Sequence, residues 1–197
     1  MNLPQPKPAY SPADYLEWEK SQETRNEYVA GEVFAMVGAR DAHNTIAGNL
    51  YISFRNHLRG GRCRVFAAEM KLQVETANAF FYPDVFVTCD ERDRGPEADL
   101  YKRHATLVVE VLSDSTAAFD RGRKFAFYRE LEALAEYVLV DPDRPGVEVF
   151  RRDATGHWVL YPFGPGETVE FASIDLRIPI AAVYEDVQWQ DRARPAE

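Results

Sequence analysis

The chain has 197 residues, 46% of them hydrophobic and 28% charged, a balance that supports one folded core and excludes disordered and collagen-like classes. Its formal net charge of -9 excludes binding to duplex phosphates through bulk charge, although not through a local basic groove. The two cysteines, Cys63 and Cys89, are too few and too far apart for a zinc site or a disulfide framework, so two reduced thiols are expected.

In chain order, residues 1–10 hold three prolines and read as an extended arm. The start MNLPQPKPAYSPADY lacks the apolar stretch of a signal peptide. No apolar run approaches the roughly 18 residues of a membrane span, so a cytoplasmic location without membrane attachment is expected. SPADYLEWEKS carries helix-start chemistry, with Ser11 as the cap and Pro12 at the first helical position. NEYVAGEVFAMVG predicts a hairpin around Ala30-Gly31. DAHNTIAGNLYISFRNHLRG is the clearest helix: Ile46, Leu50, Phe54 and Leu58 fall four apart, Gly60-Gly61 end it, and Asp41 is a candidate cap.

CRVFAAEMKLQVE predicts a strand with an irregularity at Ala67-Ala68, and AFFYPDVFVTC its hairpin partner. Residues 90–104 read as a polar surface loop. ATLVVEVLS is apolar on both faces and predicts a central strand. STAAFDRGRKFAFYRELEA is a second helix and EYVLVDP another central strand. GVEVFRRDATGHWVLYPFG is an antiparallel hairpin around DATG, and IDLRIPIAAVYEDV a short strand and turn packing back. The expected organisation is a single domain over residues 11–187 with a loose tail at 188–197. The fold class is mixed α/β (α+β), a central mixed sheet flanked by helices with additional N-terminal and C-terminal hairpins.

Two acids interrupt this apolar patterning. In the strand reading Tyr82, Asp84, Phe86 and Thr88 share a face, as do Thr106, Val108, Glu110 and Leu112. An ionised carboxylate in such company costs several kcal/mol unless a cation or donors compensate it. Lys124 begins the apolar stripe Phe127, Tyr128 and Leu131 of the second helix, which places it beside the sheet. Spacing alone leaves two readings. In one, Asp84 caps a turn after Pro83, Glu110 pairs with an arginine and Lys124 reaches out to water. In the other, the two carboxylates hold Mg²⁺ and the ammonium assists a water at a phosphodiester.

The segments NEYVAGEVFAMVGA, HNTIAGNL, YPDVFVTC, LVVEVLSDSTAAFDRGRKFAFY, EYVLVDP and VEVFRRD resemble, in order, the Uma-two family of the PD-(D/E)xK nuclease superfamily. The resemblance runs from about Ser11 to Val187 and rests on the ordered set of motifs. It implies a restriction-endonuclease-like core and a metal-dependent endonuclease acting on nucleic acid, DNA first. It implies Asp84 and Glu110 as Mg²⁺ ligands, with Mn²⁺ as a substitute and the Val111 carbonyl as a third ligand. The superfamily lysine normally stands two residues after the second acid, where this chain has Leu112; in this family it is displaced to the following helix, matching Lys124. The resemblance also points to Glu27 and Glu32 on the early hairpin and to His43 at the start of the long helix. For each, a solvated or capping role is the competing reading.

Arg121 and Arg123 flank the expected site and are candidates for phosphate contact. Asp120, one turn before Lys124, is positioned to pair with it, and Asp141-Pro142 reads as a strand-end turn. Arg55, His57, Arg59, Arg62 and Arg64 read as a solvated basic cluster. A homodimer is expected if both strands of a duplex are cut, because that needs two sites related by a two-fold axis. A nuclease-fold domain used only for oligomerisation or nucleic-acid binding is the alternative, and a phosphoesterase for small nucleotides a third reading.

Overall fold

The computed structural model describes residues 10–36 and 38–189. The expected arm, apart from Tyr10, and residues 190–197 of the expected tail lie outside the described residues. Helix α1, Pro12–Glu19, starts as its sequence requires: the Ser11 side chain accepts from the Asp14 amide while the Asp14 carboxylate accepts from the Ser11 amide, a reciprocal cap. Strands β1, Asn26–Val29, and β2, Glu32–Ala35, pair with Val29 opposite Glu32. The two turn residues, Ala30 and Gly31, have φ of 49° and 97°, as a tight hairpin twisted to match its strands demands. Helix α2, Asp41–His57, buries Ile46, Leu50 and Phe54. Its N-cap is Arg40, without a side-chain cap bond. Asp41 is not the cap: it is already helical, and its charge complements the dipole from the first turn.

Each of the two long strands read from the next segment is cut in two. They become β3, Arg64–Ala67, and β4, Lys71–Val74, then β5, Ala79–Phe81, and β6, Val85–Thr88. The Met70 amide donates to the Ala67 carbonyl at 2.9 Å and closes the first break. Pro83, which cannot donate to a ladder, lies in the second. The pieces enter different sheets.

The expectation of two reduced thiols is corrected by a disulfide between Cys63 and Cys89, whose Cα atoms are 4.0 Å apart. Arg64 lies opposite Thr88 in the antiparallel β3–β6 pair. One step further along that register the two cysteines face each other, although 26 positions separate them in sequence. Residues 90–104 are likewise more than a surface loop. They form short 3-10 turns at Glu91–Arg94 and Pro96–Ala98, then β7, Tyr101–Lys102, parallel to β4. Buried Asp93 anchors them, accepting from the Thr88 hydroxyl, the Arg103 and His104 amides and His104 Nδ1 at 2.8–3.0 Å.

Strand β8, Ala105–Val111, precedes a helical stretch made of α3, Ala117–Phe119, a π turn, Asp120–Lys124, and α4, Phe125–Tyr128. Then come β9, Glu136–Val140, β10, Val147–Arg152, β11, Trp158–Phe163, β12, Thr168–Phe171, β13, Leu176–Pro179, and α5, Ile180–Val183. The architecture is mixed α+β. A six-stranded sheet runs β11-β10-β9-β8-β6-β3, with β8 and β9 parallel and the other pairs antiparallel. A five-stranded sheet, β2-β1-β5-β4-β7, takes in the N-terminal hairpin, and β12 pairs with β13.

The six-stranded sheet is buried on both faces. One face packs Val85, Leu107 and Val109 against α2 and the β12–β13 unit. The other packs Phe86, Val108 and Leu139 against Phe125, Tyr128 and the five-stranded sheet's Leu72, Val74 and Phe81. Two-sided burial explains the unbroken apolar runs of β8 and β9. Among the described residues no helix is long and apolar enough to cross a membrane.

Candidate metal centre

The site forms where the two large sheets and both long helical segments approach one another. Val85 lies opposite Val109 in the β6–β8 register, so Asp84, one residue before β6, falls beside Glu110. The Asp84 Oδ2 atom accepts from the Val111 amide at 2.7 Å and lies 3.3 Å from His43 Nε2 in the first turn of α2. Glu110 lies beside Tyr128 and Lys124: its Oε1 accepts from the Tyr128 hydroxyl at 2.8 Å and lies 2.9 Å from Lys124 Nζ. The same ammonium is 2.9 Å from Glu27 Oε1 and 3.7 Å from Asp120 Oδ1. Glu27 also accepts from the Tyr82 amide at 3.3 Å, tying β1 to the turn that carries Asp84.

The local sequence explains these positions. Asp84 lies in the break after Pro83, so its side chain escapes strand alternation and reaches the end of β8. Lys124 closes the π turn, a widened helical turn that recurs at functional sites. The Tyr137 hydroxyl on β9 donates to the Asp120 carbonyl and pins that turn to the sheet. Burying a Leu or Phe side chain contributes about 1.5–3 kcal/mol, whereas an unpaired buried charge costs more than that. The apolar surroundings are therefore tolerable only because each charge here has partners.

The pairing remains unbalanced. Four carboxylates, Glu27, Asp84, Glu110 and Asp120, surround one ammonium and one imidazole. Burial, relieved by Lys124 and reinforced by Asp84, Asp120 and Glu27, pushes the Glu110 carboxyl well above its usual pKa. Burial likewise raises Asp120, again relieved by Lys124. Burial alone would lower Lys124, but Glu110, Glu27 and Asp120 outweigh it and hold the ammonium charged. At His43 burial is outweighed by the Asp84 carboxylate and the Val111 main chain, and its pKa is raised. His43 Nδ1 is buried without a hydrogen-bond partner.

This surplus of carboxylate oxygens over nearby cations is a donor set that fits a hard divalent cation. Among the described residues no three His, Cys, Asp or Glu side chains form a ready metal cage. Mg²⁺ does not require one: it keeps several waters and binds through one or two carboxylates plus a phosphate. Asp84, Glu110 and the Val111 carbonyl are the donors the sequence nominated, and Asp84 meets the Val111 amide directly.

Glu32 is not brought into the centre. It is exposed on edge strand β2 beside the hairpin turn, while Glu27 lies on the inner strand and points in. Arg123 is exposed, with its guanidinium carbon 5.9 Å from the Phe127 ring centroid, and Arg121 is paired with Glu148. Leu112, two residues after Glu110, is buried among apolar side chains. In the basic cluster His57 Nε2 meets the Ile174 carbonyl at 2.8 Å. Asp141 closes its turn by accepting from the Asp143 amide. Tyr128, read from sequence only as part of the apolar stripe, is the centre's hydroxyl donor; no local spacing distinguishes it from a core tyrosine.

Residues 12–181 match the model of the Uma2 family, described as "Putative restriction endonuclease". A Synechocystis sp. (strain ATCC 27184 / PCC 6803 / Kazusa) protein, "Uncharacterized protein slr1290", is 36% identical over 93% of this chain and 96% of its own. A second from that organism, "Uncharacterized protein sll1609", is 30% identical over 81% of this chain and 91% of its own. The fold matches a crystal structure described as "a putative nuclease belonging to DUF820" from Anabaena variabilis ATCC 29413. The TM-score is 0.72 at 17% identity, covering 89% of this chain and 97% of that one.

Proposed function

Because the chain belongs to the Uma2 restriction-endonuclease family, we propose that its metal centre hydrolyses phosphodiester bonds of nucleic acid, DNA first, with Mg²⁺ held by Asp84, Glu110 and the Val111 carbonyl. The supporting observation is the buried Glu110–Lys124 pair, with Lys124 Nζ 2.9 Å from Glu110, beside half-buried Asp84. Bound there, the cation would supply Lewis-acid polarisation of a phosphoryl oxygen and activation of a water.

The chain's own residues do the rest. The Val111 amide and His43 fix the Asp84 carboxylate, and Tyr128 and Lys124 fix Glu110. The 3.7 Å contact from Lys124 to Asp120 is longer than a hydrogen bond, so the ammonium keeps a donor direction for the attacking water or for charge developing on the phosphoryl group. The water oxygen bonds to phosphorus as it gives up a proton to bulk water, the bond to the leaving sugar oxygen breaks, and that oxygen takes a proton from solvent. Cutting both strands of a duplex would engage two copies related by a two-fold axis.

The test is plasmid cleavage with Mg²⁺ or Mn²⁺. Asp84→Asn, Glu110→Gln and Lys124→Met, each verified as folded, should lose about 10²-fold or more of the rate. Undiminished cleavage in EDTA, or in all three variants, contradicts the proposal. Absence of cleavage in the wild type with either metal favours the oligomerisation or binding domain instead.

A further inference from the structure

A cross-strand row leads away from the metal centre along one face of the six-stranded sheet. Glu110 is opposite Leu139, Leu139 opposite Glu148, and Glu148 opposite Pro162. Neighbouring strands lie about 4.8 Å apart, so two strands carry the row about 10 Å from Glu110 to Glu148. At that end a cavity of ≈ 340 Å³ opens, lined by Arg121, Leu139, Asp141, Arg144, Glu148 and Phe163 among others. A second, smaller cavity shares Arg121 and Asp141 and reaches back to Leu112 and Ser113, next to Val111 of the metal centre. The two cavities thus adjoin at Arg121 and Asp141, and the smaller one ends one residue from Val111.

The chemistry of the larger cavity selects its occupant. The four charged groups named cancel: Arg121 pairs with Glu148, and Arg144 Nε lies 2.9 Å from Asp141 Oδ2. A lining of zero formal charge gives a phosphate little net attraction. It instead offers guanidinium donors and carboxylate acceptors around apolar walls, which suits an uncharged, flat group with polar edges. Resting on the nuclease reading above, we infer that this cavity receives one unpaired nucleobase of the substrate strand, a nucleotide or two from the bond cut at the metal centre.

A base inside a duplex presents only its edges in the grooves and cannot enter such a recess; an unstacked one can. The phosphate beside that base draws Arg121 away from Glu148. The pair is about 44% and 33% exposed, so opening it costs little. The freed Glu148 carboxylate then accepts from the base's N–H or amino group. The substrate class is therefore a strand with unpaired nucleotides: single-stranded, bulged or locally opened nucleic acid.

The test measures binding of labelled oligonucleotides to protein carrying Glu110→Gln, with wild-type cleavage assayed in parallel. Single-stranded and bulged oligonucleotides should bind about tenfold or more tightly than a fully paired duplex of the same sequence. Arg121→Ala should remove most of that preference. So should Gly146→Leu, which puts bulk at the cavity wall, where an added Cβ meets nothing nearer than 3.8 Å. Circular dichroism and melting of both variants should match the parent. Equal binding of paired and unpaired strands, or an unchanged preference in both variants, overturns the inference. If the wild type cleaves duplex with Mg²⁺ in that case, the nuclease reading survives and only the base pocket fails. If the wild type neither binds nor cleaves any oligonucleotide, both fail.

Discussion

Lys124 ties together three carboxylates drawn from β1, β8 and the π turn. Its ammonium faces Glu110, Glu27 and Asp120, all in a region with almost no contact with solvent. Removing one partner of a buried ion pair leaves uncompensated charge and costs about 3–5 kcal/mol. Lys124→Ala should therefore shift the urea midpoint strongly downward, whereas Arg121→Ala, at an exposed pair, should move it by about 1 kcal/mol or less. Equal, small shifts in the two variants would show that the carboxylates are not held by Lys124. Lys124 was legible in the sequence because it starts an apolar stripe at helical spacing. Glu27 and Glu32 were not separable there: both lie on the same hairpin, and only the sheet order, which puts β1 inside and β2 at the edge, points one inward and leaves the other in solvent.

Among the elements, β3 and β6 hold the two features that sequence patterning missed or misread. The disulfide joins them at the end of the sheet away from Asp84. Closing a loop of 26 residues restrains the unfolded chain by about 3 kcal/mol. Reduction, or Cys63→Ser with Cys89→Ser, should lower the melting midpoint by several degrees; an unchanged midpoint after complete reduction would refute the bridge. Pairing of distant cysteines depends on strand register, which neither cysteine's neighbours reveal. The breaks at residues 68–70 and 82–84 were half legible: the first was flagged by Ala67-Ala68, and the second hid because an alternating run continues through Pro83.

The segment after β6 depends on Asp93. Burial opposes its ionisation, but hydrogen bonds from His104, Arg103 and Thr88 prevail and hold its pKa below the usual carboxylate range. A lowered folded pKa contributes stability that is fully present above the unfolded value of about 3.9 and is lost as pH falls through the folded value. Asp93→Asn should lower the urea midpoint at pH 7 and flatten its fall below pH 4. A wild-type and a variant profile that run parallel through that range would remove Asp93 from the account.

The molecule as a whole gathers more carboxylates than cations where β6, β8, the hairpin and both helical segments meet. The architecture itself was readable from the order of apolar runs, because central strands buried on both faces write an unmistakable pattern. The five-stranded second sheet was not, since its strands are short and drawn from segments that read as hairpins on the first sheet. The meeting of Lys124 with Glu110, one register step from Asp84, was readable in outline. Asp120 was readable as the partner one turn before Lys124, whereas the Tyr128 hydroxyl and the π turn that aims Lys124 emerge only from packing against β9. The central claim is that this convergence seats a divalent ion. Anomalous scattering from a crystal soaked in Mn²⁺ measures that directly. A peak between Asp84 and Glu110 in the wild type, absent after Asp84→Asn with Glu110→Gln, is the predicted result; a wild-type crystal with no peak there, or with the ion bound elsewhere, contradicts it.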